Sequence, residues 1–84
     1  MELQGFSDGF YITSLNYSDS ELDSAEGFYI YEETIMDTGI LSKNDLIESL
    51  KNNYPLFFAE KDGDSWIIIN RIILLNSNNQ IIIT

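Results

Sequence analysis

Apolar residues concentrate near the C-terminal end, in Trp66-Ile67-Ile68-Ile69-Asn70-Arg71-Ile72-Ile73-Leu74-Leu75, where eight of ten are large and hydrophobic. Five are isoleucines, whose β-branched side chains suit a pleated, buried surface better than a helix. The stretch therefore predicts the central strand of a small sheet. Asn70-Arg71 in its middle predicts a bend or bulge, with the half before it pairing with 56–61 and the half after it with 80–84. Two further segments, 9–17 and 27–35, alternate aromatic and β-branched residues and read as the first two strands. Both open on Gly-Phe-Tyr-Ile, which strand preference explains more simply than duplication. Residues 1–7 read as a loose lead-in pinned by Phe6.

Between those strands, Ser18 and Glu21 have the spacing of a capping box and Gly27 stands where a helix C-cap glycine would. The segment 19–25 is thus either a short helix or an acidic loop. Met36-Asp37-Thr38-Gly39 reads as a turn. A clear helix follows: Ser42 is a good N-cap, Asp45 sits at the third helical position, and Leu41 with Leu46 forms a hydrophobic staple. Leu46, Ile47 and Leu50 make its apolar stripe, and Asn52-Asn53-Tyr54-Pro55 ends it. Residues 56–61 run into Asp62-Gly63, a strong hairpin signal. A turn there sets Lys61 opposite Asp64, Ala59 opposite Trp66 and Phe57 opposite Ile68. It makes the Phe57–Ala59–Trp66–Ile68 face the seat of the helix. Asn76-Ser77-Asn78-Asn79 turns the chain into a last strand, 80–84.

The expected fold is α+β: a single small domain over 1–84, an antiparallel sheet of about five strands with one main helix, in the order ββαβββ. One short helix leaves Ile67, Ile69, Ile73 and Ile82 to be covered by the 1–26 region, a second copy or a partner. The open C-terminal edge or the uncovered face also offers a route to a homodimer.

Composition narrows the chemistry. The 84 residues include no cysteine and no histidine, which removes thiol and imidazole nucleophile machinery and the usual zinc ligands. No enzyme activity and no cofactor is implied. Asp19, Glu21 and Asp23 fall at positions 1, 3 and 5 of a calcium loop, but Ser24 and Ile30 occupy the glycine and glutamate positions, so no metal site is expected. The N-terminus lacks a signal-peptide pattern, and 66–75 is too short to span a bilayer, so a cytoplasmic protein is expected.

Charge carries the functional reading. There are 14 acidic and 4 basic residues, and residues 1–42 hold nine acids with no lysine or arginine, leaving the halves at −9 and −1. Such a half repels nucleic acids and anionic membranes and attracts cationic surfaces. Carboxylates on alternate strand residues lie about 6.6 Å apart, near the phosphate step of a nucleic-acid strand. An arginine fork binds either group bidentately. The candidate partner-binding residues are Asp19, Glu21, Asp23, Glu26, Glu32, Glu33 and Asp37, with Tyr29 and Tyr31 as aromatic anchors. In size, charge and α+β make-up the chain resembles small phage-encoded DNA-mimic proteins, among them anti-CRISPR proteins and uracil-DNA glycosylase inhibitor. The resemblance is one of character, rests on no motif and carries no residue over. It implies an inhibitor or decoy in a host cytoplasm, bound to a basic protein such as a nucleic-acid-binding enzyme or nuclease, without touching nucleic acid or membrane itself. The alternatives are an immunity or antitoxin-like protein neutralising a basic nuclease, and a structural or assembly subunit using the apolar sheet face.

Overall fold

The computed structural model describes residues 6–84. Strand β1 (Gly9–Ser18) pairs antiparallel with β2 (Glu21–Tyr31), and their register sets the two Gly-Phe-Tyr-Ile strings against each other. Gly9 stands opposite Ile30, Phe10 opposite Tyr29, Tyr11 opposite Phe28 and Ile12 opposite Gly27. Side chains alternate between faces along a strand. Phe10 therefore meets Tyr29 edge-on at 4.8 Å on one face, and Tyr11 stacks on Phe28 at 5.6 Å on the other. Gly27 admits this close approach, because a Cβ there would run into the Tyr11 carbonyl and the Phe10 ring.

β2 turns into β3 (Thr34–Ser42), an edge strand, and α1 (Lys43–Lys51) then returns the chain to the other side of β1. There β4 (Leu56–Asp62) runs parallel to β1, with Phe10, Tyr11 and Ile12 beside Leu56, Phe57 and Phe58. β5 (Ser65–Ile69) completes a mixed sheet of order β3-β2-β1-β4-β5. A separate ribbon pairs β6 (Ile73–Leu75) with β7 (Ile81–Ile83). The element order is thus βββαββββ. The fold is α+β, but neither the expected ββαβββ order nor an all-antiparallel sheet is found. A helical crossover after three strands, where two were expected, brings β4 in alongside β1 in the same direction.

The central strand is β1, whose Phe10, Tyr11 and Ile12 are all 1% exposed or less. The isoleucine-rich stretch supplies one sheet edge and one strand of the ribbon instead. Its break at Asn70-Arg71 is present: β5 pairs with β4, and β6 pairs with β7.

On one sheet face Phe10, Ile12, Ala25 and Phe58 pack with Leu46 of α1 and Ile73 of the ribbon. The opposite face gathers Tyr11, Phe28, Ile30 and Ala59, with Phe57, Trp66 and Phe6 against them. The helix therefore sits on the Phe58 side, not on the expected Phe57–Ala59–Trp66 side. β4 can present either face to the helix, and pairing with β1 decides which. Ile69 and Ile73, expected to point away from the helix, join its core. The hairpin register is also two residues off: Asp62 faces Ser65, Lys61 faces Trp66 and Ala59 faces Ile68. The even shift leaves each side chain on its expected face.

Ser42 caps α1 by accepting the Asp45 N–H at 3.2 Å, and the staple residue Leu46 is fully buried. At the other end Asn53 (φ 58°) adopts the left-handed conformation. The N–H groups of Asn53 and Tyr54 then donate to the carbonyls of Leu50 and Ser49, a Schellman closure before Pro55. Of the expected lead-in, residues 1–5 lie outside the described residues. The Phe6 ring lies tilted 5.4 Å from that of Tyr11, whose hydroxyl donates to the Ser7 carbonyl at 2.7 Å.

Two expected local structures are replaced. The segment 19–25 is neither helix nor loop but a hairpin turn at Asp19-Ser20 followed by β2. A register shift between the Asn16 and Tyr17 pairings leaves Asp23 bulged, which puts Leu22 and Ala25 on one face despite their helix-like spacing. Met36–Gly39 is strand, and the turn falls at Glu32-Glu33. Both of those residues have positive φ, 50° and 62°, which disfavours each by roughly 1–2 kcal/mol. The turn is held by the Glu32 N–H donating to the Asp8 carboxylate at 2.9 Å.

Two substitutions check this account. Gly27→Ala should destabilise the fold by about 2–3 kcal/mol, because backbone rather than a flexible side chain must move. Replacing Glu32-Glu33 by Asn-Gly should instead stabilise it by about 1–2 kcal/mol. Thermal melts would read both, at roughly 4–8 °C per kcal/mol for a domain of this size.

Candidate functional site

Register decides where the acidic residues end up. Asp19 occupies the β1–β2 turn, and Glu21 and Asp23 follow on β2. With Ser18, Leu22 and Lys43 these three line a small polar hollow of about 230 Å³ at one end of the sheet. Glu32 and Glu33 form the turn at the other end of β2, beside Asp8. The ten steps from Glu21 to Tyr31 separate the two groups by about 33 Å at strand rise, most of the molecule's 38 Å long axis. The candidate acids thus form two terminal groups rather than one patch. Between them lie Glu26, on the face away from α1, and Asp37, which pairs across the strands with Tyr29.

The two candidate tyrosines differ. Tyr31 is 56% exposed beside the Glu32-Glu33 turn. Tyr29 is half-buried between Phe10 and Tyr54, the latter 6.5 Å away. Burial, chiefly, and the negative charge of neighbouring Tyr54, Asp45 and Asp37 push its phenol above the ordinary 10.0. Tyr11 is raised as well, mainly by burial, with Asp8 adding to the rise and the Ser7 hydrogen bond opposing it.

All eight acids from Asp8 to Asp37 are exposed. The β1–β2–β3 meander that carries them contains no lysine or arginine. The bases lie elsewhere: Lys43 and Lys51 on α1, Lys61 on β4 and Arg71 in the β5–β6 link. The Lys61 ammonium sits 5.2 Å over the Trp66 ring, and the Arg71 guanidinium 4.8 Å over Phe58. The acids thus share the β1–β2–β3 side of the sheet, while α1, packed against β2 and β3, brings Lys43 to the Asp19–Glu21–Asp23 end.

The face away from α1 holds an open hollow of about 460 Å³, walled by Phe28 and Trp66 and bordered by Glu26, Thr13, Thr38 and Ile40. Ile40 and Met36 on β3 are 62% and 61% exposed, and Ile68 on β5 is 48% exposed. Asp8 and this hollow escape sequence reasoning, since only the β1–β2 register places Asp8 beside Glu32 and only the curl of the sheet brings Trp66 to Phe28. Among the described residues, no three carboxylates are grouped so as to hold a metal ion, and no helix is long and apolar enough to cross a membrane. No protein family, curated protein or solved structure matches the chain.

The raised tyrosines give the protein an alkaline limit. Above about pH 10 the unfolded chain loses phenolic protons that the native state keeps, so stability is intact below that value and falls as pH rises toward the folded values. Melting temperature should therefore decline from about pH 10 upward, and Tyr29→Phe should flatten the decline. An equal decline in the variant would show that Tyr29 is not its source.

Proposed function

We propose that the protein is a small acidic inhibitor or decoy that binds the basic nucleic-acid-binding surface of a target protein and keeps nucleic acid out of it. The observation that carries this reading is the base-free meander, with eight exposed carboxylates and no internal counter-charge along β1, β2 and β3. A surface of one sign steers association with a cationic partner and excludes anionic ones. The acids sit in two terminal groups about 33 Å apart, so the complementary surface is an extended basic tract, such as a nucleic-acid groove presents. Arginines there pair with carboxylates as they do with phosphates. An immunity or antitoxin-like protein acting on a basic nuclease would use the same surface, and the two readings differ in target rather than in physics.

A second reading rests on a different observation. The exposure of Met36, Ile40 and Ile68 suits a structural subunit that assembles through its apolar face. Such an assembly would persist in high salt, where hydrophobic contacts are strengthened and charge contacts are screened.

Immobilised at low salt, the protein should retain nucleic-acid-binding proteins from a lysate and release them to excess duplex DNA. Affinity for a retained partner should fall about tenfold or more between about 50 and 500 mM salt. Partners held regardless of both salt and DNA would overturn the decoy reading. A defined oligomer that sediments unchanged in high salt would favour assembly instead.

A further inference from the structure

We infer that the open hollow bordered by Trp66 and Glu26 receives an arginine side chain from the partner's cationic surface. The inference rests on the acidic-binding reading and adds the place where one partner residue is anchored. Glu26 and Phe28 occupy alternate positions of β2, opposite Ile40 and Thr38 of β3, so all four flank the hollow from one face of the sheet. Trp66 closes it from β5, its ring 4.9 Å from Phe28. The hollow thus sets the partly exposed Trp66 ring, backed by the buried Phe28, beside one carboxylate, and no lysine or arginine lines it.

That combination fits a guanidinium better than the alternatives. A planar cation stacks on an aromatic face while its fork pairs with a carboxylate, whereas an ammonium is a compact, strongly hydrated point charge. An apolar insert would bury Glu26 without a counter-charge, and a buried unpaired carboxylate is costly. The indole already accepts a cation from within the chain, since Lys61 lies over its ring. A second copy is a poor occupant. Each copy carries a net charge of −10 and a single arginine, and that arginine, Arg71, lies over Phe58 in the other face's core.

Trp66 is the only tryptophan, so tryptophan fluorescence comes entirely from a ring that borders the hollow. Titrating the protein with capped hexaarginine should change Trp66 emission saturably, and capped hexalysine should bind more weakly. Glu26→Gln, an exposed and nearly isosteric change, should weaken hexaarginine binding about tenfold. The Glu32→Gln/Glu33→Gln pair, remote from the hollow, should weaken it about twofold or less. Lys61→Met, which removes the competing cation, should tighten it. Salt-sensitive binding that leaves Trp66 silent, or in which Glu26→Gln matters no more than the remote pair, would overturn the arginine site while leaving the acidic reading in place. Equal binding of hexalysine would overturn the choice of arginine. No binding of either peptide at low salt would overturn both readings. A Trp66 signal that depends on protein concentration without peptide would assign the hollow to a second copy and overturn the proposal.

Discussion

The pairing of Gly9-Phe10-Tyr11-Ile12 with Gly27-Phe28-Tyr29-Ile30 is the contact on which the rest of the structure depends. It places one aromatic pair on each sheet face, Phe10 with Tyr29 and Tyr11 with Phe28. Two cores thereby grow from a single two-stranded unit. On one side Leu46 of α1 and Ile73 of the ribbon complete the packing. On the other, where no helix packs, aromatic rings shield one another: Tyr11 lies between Phe28 and Phe57, and Trp66 leans on Phe28. Each ring contributes large apolar area together with a favourable tilted or stacked geometry. A chain this short buries only about 60% of its unfolded surface, so a face built from its own aromatics saves a whole layer of structure.

The same pairing explains which parts of the fold could be read beforehand. The helix was legible because its signals are local: Ser42, Asp45, Leu41 and Leu46 act within one turn. The Asn70-Arg71 break was legible because two polar residues interrupt an apolar run. The turn at 19–20 was not, because a bulge at Asp23 gives Leu22 and Ala25 the three-residue spacing of a helix. Glu32-Glu33 resembles no turn dipeptide, and its geometry is tied down by Asp8, twenty-four residues away. The identity of the central strand was hidden for a related reason. Apolar content marked 66–75, whereas centrality follows from the strand order, in which β1 has two strands on either side. As for the candidate surface, the sequence revealed the sign of its charge but not its division between two ends, which only the strand register determines.

Topology carries the linear charge asymmetry into the sheet, though α1 returns Lys43 to one acidic end. The base-free first 42 residues pair with one another as β1, β2 and β3, and every basic residue follows along the chain on α1, β4 or the β5–β6 link. Had strands from the two halves alternated across the sheet, the same composition would have given a mixed surface. The two residues of the Glu32-Glu33 turn keep acids at backbone positions that glycine or asparagine would occupy more comfortably, so part of the available stability is exchanged for negative charge at a sheet end.

The parallel contact between β1 and β4 has a kinetic consequence. Phe10 and Leu56 are neighbours across the strands but 46 residues apart along the chain, while the β1–β2 and β2–β3 hairpins close over two-residue turns. Hairpins form within about 1–10 μs, whereas non-local pairings wait on a long loop closure. Until α1 carries β4 into position, the strand that ends up most deeply buried presents an unpaired edge to solvent. The anionic hairpin around it supplies like-charge repulsion during that interval, which makes the excess of carboxylates a safeguard of folding as well as a surface of the finished molecule.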